Sequence, residues 1–200
     1  MGRRSDHSRE ELEELILSEG QKLMAETGLS RFSAREVAKR VGYSVGTVSN
    51  LFAGVDGLII AINSRTFRLW SDSLEANLHN VTGADRIDAL VRGYFEFAEK
   101  HLNLWSAIYE HRLPPDMAMP ETLAEERTRL TTIVTREVAA ILPESEKPEA
   151  ARLAGSLIAT VHGHCGFALI GSFALLNEKD PLGLATDRVH EVLAAHGATL

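Results

Sequence analysis

Along most of the chain, apolar residues return every three or four positions, and alternating runs rich in valine, isoleucine and threonine are few. That period predicts an all-α protein. The first stripe, Leu12, Leu15, Ile16, Leu23 and Met24, predicts a helix from about Arg9 to Thr27. Ser8 is placed as its N-cap, glutamates in its first turns favour the helix dipole, and Gly28 is a natural stop. Ser33 and Glu36 have the S-x-x-E capping-box spacing, so a second helix begins near Ala34, with Val37, Ala38 and Val41 on its apolar face and Gly42 at its end. Ser44 can cap a third. Two short helices about a glycine turn describe a helix-turn-helix. Beyond it the pattern predicts helices over 55–78, 84–100 and 104–110, a proline-broken loop over 111–120, and helices over 121–142, 149–176 and 184–195, with breaks at LPESEKP and DPLG. The total is about nine helices.

The third helix lies in VGYSVGTVSNLF (41–52), a dozen residues without a charge. At ~100° per residue, Val48, Leu51 and Phe52 fall on one side and face neighbouring helices. Gly46 and Asn50 fall on the other, flanked by Thr47 and Ser49, with Val45 at the N-terminal edge. Hydroxyls and amides bond phosphate oxygens or base edges, and an asparagine amide matches the N6/N7 edge of adenine. Gly46 lets the backbone approach closely, and Val45 can meet a thymine methyl. A merely solvated face on a small helical domain is the alternative reading of the same spacing.

Charge distribution separates these readings better than the net charge of −7 does. Residues 1–9 carry Arg3, Arg4 and Arg9 against Asp6, and residues 30–52 carry Arg31, Arg35, Lys39 and Arg40 against Glu36. Between them, residues 10–29 hold six glutamates against Lys22, and the chain after residue 52 is acidic as well. Two local basic patches on an acidic body suit a confined anionic contact rather than indiscriminate nucleic-acid binding. Arg35, Lys39 and Arg40 would attract phosphates, while the small polar groups discriminate bases. The single cysteine excludes an internal disulfide framework and suits a reducing cytoplasm. No apolar stretch follows the N-terminal arginines, so a cytoplasmic location without a secretory signal is expected.

FSAREVAKRVGYSVGTVSNLFAGVDGL (32–58) is close to the pattern T-x-x-x-I-A-x-x-A-G-V-S-x-G-T-L-Y-x-Y-F-x-x-K-x-x-L. Over residues 8–58 the chain therefore resembles the DNA-binding domain of the tetracycline-repressor-like (TetR) regulators. Ser33, Val37, Ala38, Gly42, Ser44, Gly46, Thr47, Phe52 and Leu58 match directly or conservatively. The resemblance implies a homodimeric, sequence-specific transcriptional regulator, most simply a repressor released from double-stranded operator DNA by a small-molecule effector. Residues 1–54 would be the helix-turn-helix domain and 55–200 the ligand-binding and dimerisation domain. The DNA contacts implied are Arg3, Arg4, Ser33, Arg35, Ser44, Val45, Gly46, Thr47, Ser49 and Asn50. Three positions depart: Ser49 stands for a usual tyrosine, Leu51 for an aromatic and Val55 for a lysine. Because that tyrosine and lysine commonly touch phosphates, two positioning contacts are weakened here, and Arg3 and Arg4 are placed to compensate through phosphates or the minor groove.

In the larger C-terminal part, YFEFAEKHLNLWSAIY (94–109) resembles a further family segment, and Val161-His162-Gly163 resembles the Trp-His-Gly signature of one class of C-terminal domain. The large side chains best able to line an effector pocket are Phe67, Trp70, Leu74, Tyr94, Phe97, Trp105, Ile108, Tyr109, Ile133 and Phe167, with His162, His164 and Tyr109 as polar anchors. They suit an apolar or aromatic ligand. HGHC (162–165) is not expected to bind metal, since His162 and His164 point ~200° apart on a helix. No cofactor is expected. Residues 153–176 run 24 positions without a charge, long enough for a membrane span. Two histidines, four glycines and the lack of flanking basic clusters favour instead a helix buried between its own bundle and a second copy, the dimer forming through 149–176 and 184–195. An enzyme is the other alternative, but no nucleophile–base pair, phosphate loop or metal spacing supports one.

Overall fold

The structure is a computed structural model that describes residues 7–115 and 117–200. Arg3 and Arg4 lie outside the described residues. Among those described there are ten α-helices and no strand. Compact packing divides the chain into two units. One unit runs through Thr66 and includes His101–Ala124; the other comprises Phe67–Lys100 and Glu125–Leu200.

The first unit holds α1 (Arg9–Thr27), α2 (Ala34–Val41), α3 (Val45–Phe52), the first half of α4 (Val55–Leu78) and α6 (Leu102–Glu110). Ile16, Met24, Val37, Val48, Leu58, Ile62 and Leu104 are buried together at its centre. Gly20 belongs to that packing: a Cβ there would meet Ile62 Cδ1 of α4 at 3.1 Å, a tight contact. Polar ties fasten α6 into the same unit. Asn103 Nδ2 donates to the Ala25 carbonyl at 2.7 Å, and His111 Nε2 lies 3.0 Å from Asp56 Oδ1 in the first turn of α4. The capping box forms at Ser8 and Glu11, where each side chain bonds the other's backbone N–H. It does not form at Ser33. That residue is extended at the N-cap position without a side-chain hydrogen bond, because Glu36 turns to Lys39 and Arg40.

The second unit contains the rest of α4, α5 (Asp85–Lys100), most of α7 (Glu121–Ile141), α8 (Ala150–Leu169), the short α9 (Ser172–Leu175) and α10 (Pro181–Ala195). Helix α10 packs on α8 and α5. The buried Glu137 carboxylate holds this unit together: it accepts from Arg86 Nε at 2.5 Å and Nη2 at 2.9 Å, and from Arg136 Nε at 2.7 Å. Arg86 Nη1 also donates to the carbonyls of Leu78 and Val81, joining the end of α4 and its loop to α5 and α7.

Two expectations from the pattern change here. The helix expected over 149–176 ends at Leu169, because Gly171 adopts φ +75°, a left-handed conformation that stops the helix before α9. DPLG, expected as a break, starts α10: Asp180 Oδ1 accepts from the Gly183 N–H at 2.9 Å, and Pro181 occupies the first turn, where its missing N–H costs nothing. No single helix among the described residues is long and apolar enough to cross a membrane. Nor is α8 buried on nearly all sides within one chain. Leu153, Ala154, Leu157, Val161 and Cys165 are buried, whereas Gly155, Ser156, Ala159 and Gly163 are exposed, as are Phe167, Ile170, Leu175 and Leu176 just beyond.

Candidate nucleic-acid interface and ligand cavity

The turn between α2 and α3 is set by Gly42, whose φ of +77° only glycine adopts without cost. Its N–H bonds the last turn of α2, and the Tyr43 N–H returns to the Ala38 carbonyl at 3.0 Å. Val37 and Ala38 on α2 and Val48 on α3 pack beneath the turn, with Leu51 and Phe52 half-buried beside them. This anchoring leaves Ser44, Val45, Gly46 and Asn50 exposed and Thr47 and Ser49 half-exposed. A surface without charge, built from small polar groups and one methyl-bearing side chain, is thereby presented at the start of a helix. Ser44 has a structural duty as well: its hydroxyl accepts from the Thr47 N–H at 3.1 Å and lies 2.9 Å from the Thr47 hydroxyl.

The basic residues around this surface are not equivalent. Arg40 grips Glu26 of α1 in a fork, at 2.7 and 3.2 Å. That hydrogen bond raises the guanidinium's proton affinity further, so its charge is spent within the head. Lys39 lies 3.6 Å from Glu36 and remains largely exposed, while Arg35 is exposed and forms no ion pair among the described residues. Ser33 is exposed at the α2 N-terminus. Val55 is 43% exposed at the start of α4, an apolar group on the surface.

In the second unit, Ile87, Leu90, Val91 and Tyr94 of α5, Val134 and Val138 of α7, Leu157, Ile158 and Val161 of α8, and Val189 of α10 line a partly open cavity of about 40 Å³. Tyr94 is its polar member. The Tyr94 hydroxyl lies 2.9 Å from His162 Nδ1, and burial lowers the His162 pKa, which favours the neutral imidazole. Trp70 stacks on Phe97 with ring centres 4.8 Å apart and meets Tyr94 edge-on at the same distance.

The described residues bring no three histidine, cysteine, aspartate or glutamate side chains together at a metal-ligand distance. His164 Nδ1 faces the Thr160 carbonyl at 2.8 Å, away from His162 and its tyrosine partner. The Cys165 thiol is fully buried and pushed up to about 12 by burial and the charge of Glu99, which leaves it unreactive.

Residues 16–62 match the family described as bacterial regulatory proteins, tetR family, and residues 87–192 match the tetracyclin repressor-like C-terminal domain. The chain belongs to the TetR family.

Solved structures agree on the fold. A Rhodococcus sp. RHA1 protein of unknown function superposes with a TM-score of 0.74 at 20% identity, over 98% of each chain. A tetR-family transcriptional regulator from Streptomyces coelicolor gives 0.66 at 18% identity, over 94% of this chain and 82% of its own. The multidrug binding protein EbrR, complexed with imidazole, gives 0.59 at 17% identity, over 94% and 96%. No curated protein matches this TetR-family chain in sequence. The C-terminal match carries no Trp-His-Gly designation.

The site residues expected from sequence divide unevenly. On α3, Val48 is buried and Val45, Gly46 and Asn50 are exposed, which is the division the helical period predicts. Of the pocket candidates, Tyr94 lines the cavity. Phe67, Trp70, Leu74 and Phe97 are buried core residues that do not line it, His162 contacts the lining Tyr94, and Ile133 is buried on α7. Trp105 and Ile108 belong to the first unit, with Trp105 buried and its ring 5.2 Å from that of Tyr109. Tyr109 and Phe167 are 44% and 45% exposed. The residues missed are the smaller aliphatics. Their signal was the spacing of Ile87, Leu90, Val91 and Tyr94, and of Val134 with Val138, on single helix faces.

Proposed function

We propose that this TetR-family regulator is a dimeric repressor whose grip on a specific operator is released by a small apolar effector. The observation that carries the reading is the exposed, uncharged face of α3, with Val45, Gly46 and Asn50 open and Val48 locked beneath. Each copy would insert α3 into a major groove, and two copies would read half-sites one helical turn apart. Arg35, Lys39 and the N-terminal Arg3 and Arg4 would supply the phosphate attraction, with Ser33 at a helix start as a further phosphate donor. The exposed Gly155, Ser156, Ala159 and Gly163 of α8, with Phe167, Ile170, Leu175, Leu176 and the outer side of α10, support an isologous contact between two chains.

Effector binding would act through a difference in affinity between DNA-competent and DNA-incompetent states, worth about 1–3 kcal/mol of coupling. Footprinting on the intergenic DNA beside the gene, repeated with a panel of small molecules, tests the proposal. The expected result is a protected palindrome that a neutral compound releases. Absence of any sequence-specific protection would overturn it.

A further inference from the structure

Resting on the DNA-binding part of that reading, we propose that the base pairs read by α3 are A·T pairs. Asn50 takes the N6/N7 edge of an adenine, Val45 packs on a thymine methyl, and Gly46 lets the helix seat that closely. Three features of the folded helix select this class.

The exposed face lacks the groups that read G·C pairs. Guanine is read by a bidentate arginine or lysine and cytosine by a carboxylate, and residues 41–55 contain none of these. The nearest basic side chains sit on α2. There Arg40 is forked onto Glu26 and Lys39 lies beside Glu36. Arg35 is exposed, but on the first helix of the motif, which crosses the phosphate backbone instead of entering the groove.

The side chains left open match A·T pairs. The Ser44 and Thr47 hydroxyls lie 2.9 Å apart and the Ser44 oxygen accepts the Thr47 N–H, so the cap holds both. Nothing comparable holds Asn50, whose exposed amide makes no hydrogen bond among the described residues. Its paired donor and acceptor match adenine. Val45 is 42% exposed in the first turn of the same helix, and the apolar group that a major groove offers it is the thymine methyl. The half-exposed Ser49 hydroxyl is neutral, since it can bond either kind of pair.

Gly46, finally, is not required by the chain itself. It lies inside α3 without a positive φ, and a Cβ there would meet only the Ser44 Oγ among the described residues, at an ordinary 3.6 Å. Glycine within a helix is costly relative to alanine. Close approach of a partner to the exposed face gives that cost a physical reason.

Selection of binding sites by the full chain from a random-sequence duplex library tests the proposal without an assumed operator. Positions whose base preference changes in Asn50→Ala or Val45→Ser should be A·T pairs in the native chain's sites. A G·C pair at the Asn50 position should weaken native binding about 5- to 150-fold, and Asn50→Ala should lose that discrimination. Deoxyuridine in place of the contacted thymine should weaken the native chain about three- to fourfold and leave binding by Val45→Ser unmoved. Gly46→Ala should raise Tm by about 1–4 °C while weakening binding to the selected site about tenfold. G·C pairs at the positions these variants govern, no position governed by either, or full binding by a stabilised Gly46→Ala chain would overturn the assignment. Footprinting beside the gene separates the two readings. Selected A·T sites left unprotected there uphold the base class and remove the regulatory reading; a protected palindrome read through G·C pairs and released by a small molecule does the reverse.

Discussion

Replacing Glu137 with alanine probes the junction that holds the second unit together. In the native chain this carboxylate is 4% exposed and accepts three hydrogen bonds from Arg86 and Arg136, while Arg86 also spans the carbonyls of Leu78 and Val81. Removing one partner of a buried pair costs about 3–5 kcal/mol, because the remaining charge stays desolvated. Arg86 keeps two carbonyl acceptors and is 27% exposed, which puts the expected loss at the low end, about 3 kcal/mol. For a chain of this size that corresponds to about 6–12 °C in Tm.

Glu75→Ala is the control. It removes Arg136's other partner, but both side chains are more than 40% exposed, and such pairs contribute about 0–1 kcal/mol. The pH dependence supplies a sign. Arg86, and secondarily Arg136, hold the Glu137 pKa below its ordinary value against the opposing effect of burial. The stabilisation is therefore complete above the unfolded-state pKa of about 4.3 and is lost as pH falls through the folded-state value. The stability gap between the native chain and Glu137→Gln should close on acidification below the carboxylate range. Urea unfolding followed by far-UV circular dichroism measures all three quantities. A Glu137→Ala loss below ~1 kcal/mol, the upper bound for an exposed pair, or a Glu75→Ala loss of equal size, would refute the reasoning.

Four further outcomes follow from the same geometry. Ser44→Ala removes the cap of α3 and should cost about 1 kcal/mol, read by thermal unfolding, with a parallel loss of operator affinity in gel shifts. A Cβ on Gly57 would overlap the Phe52 carbonyl oxygen. Gly57→Ala should therefore destabilise by about 1–3 kcal/mol despite its helix propensity, and should displace α3 enough to abolish footprinting by the folded protein. Arg35→Ala should reduce the salt slope of DNA binding by about one, whereas Arg40→Ala, whose charge is committed to Glu26, should leave that slope unchanged. The α8 face offers nothing within 4 Å of Gly155 or Gly163 in one chain. Each Gly→Ala should therefore add about 0.5–1 kcal/mol of helix stability, while Gly155→Leu with Gly163→Leu should raise the monomer fraction in analytical ultracentrifugation.

The helix-turn-helix was the most legible part, because everything it needs is local. Ser44, Gly42 and the 3.6-residue spacing of Val48 and Phe52 act within a few positions of one another, so caps, turn and exposed face follow from sequence order alone. The same local rules gave α1 its bounds and placed Ser8 as its cap. They failed where two local signals competed: Ser33 had the spacing for a capping box, but Glu36 found better partners in Lys39 and Arg40.

The second unit was less legible for a physical reason. A cavity is what several helices leave unfilled, and no single helix encodes that gap. Large aromatic residues were the natural candidates from sequence, yet Trp70 and Phe97 fill their space by stacking on each other, and the gap falls where valines from four helices meet. Tertiary structure likewise decided that α6 belongs with the head, that Arg40 is committed to Glu26, and that one face of α8 is covered within the chain while the other is not. By itself, the sequence determined the helical period, the order of the helices and the chemistry of the exposed α3 face. Which side chains meet across helices, and which space they leave, was decided only when residues far apart in the chain packed together.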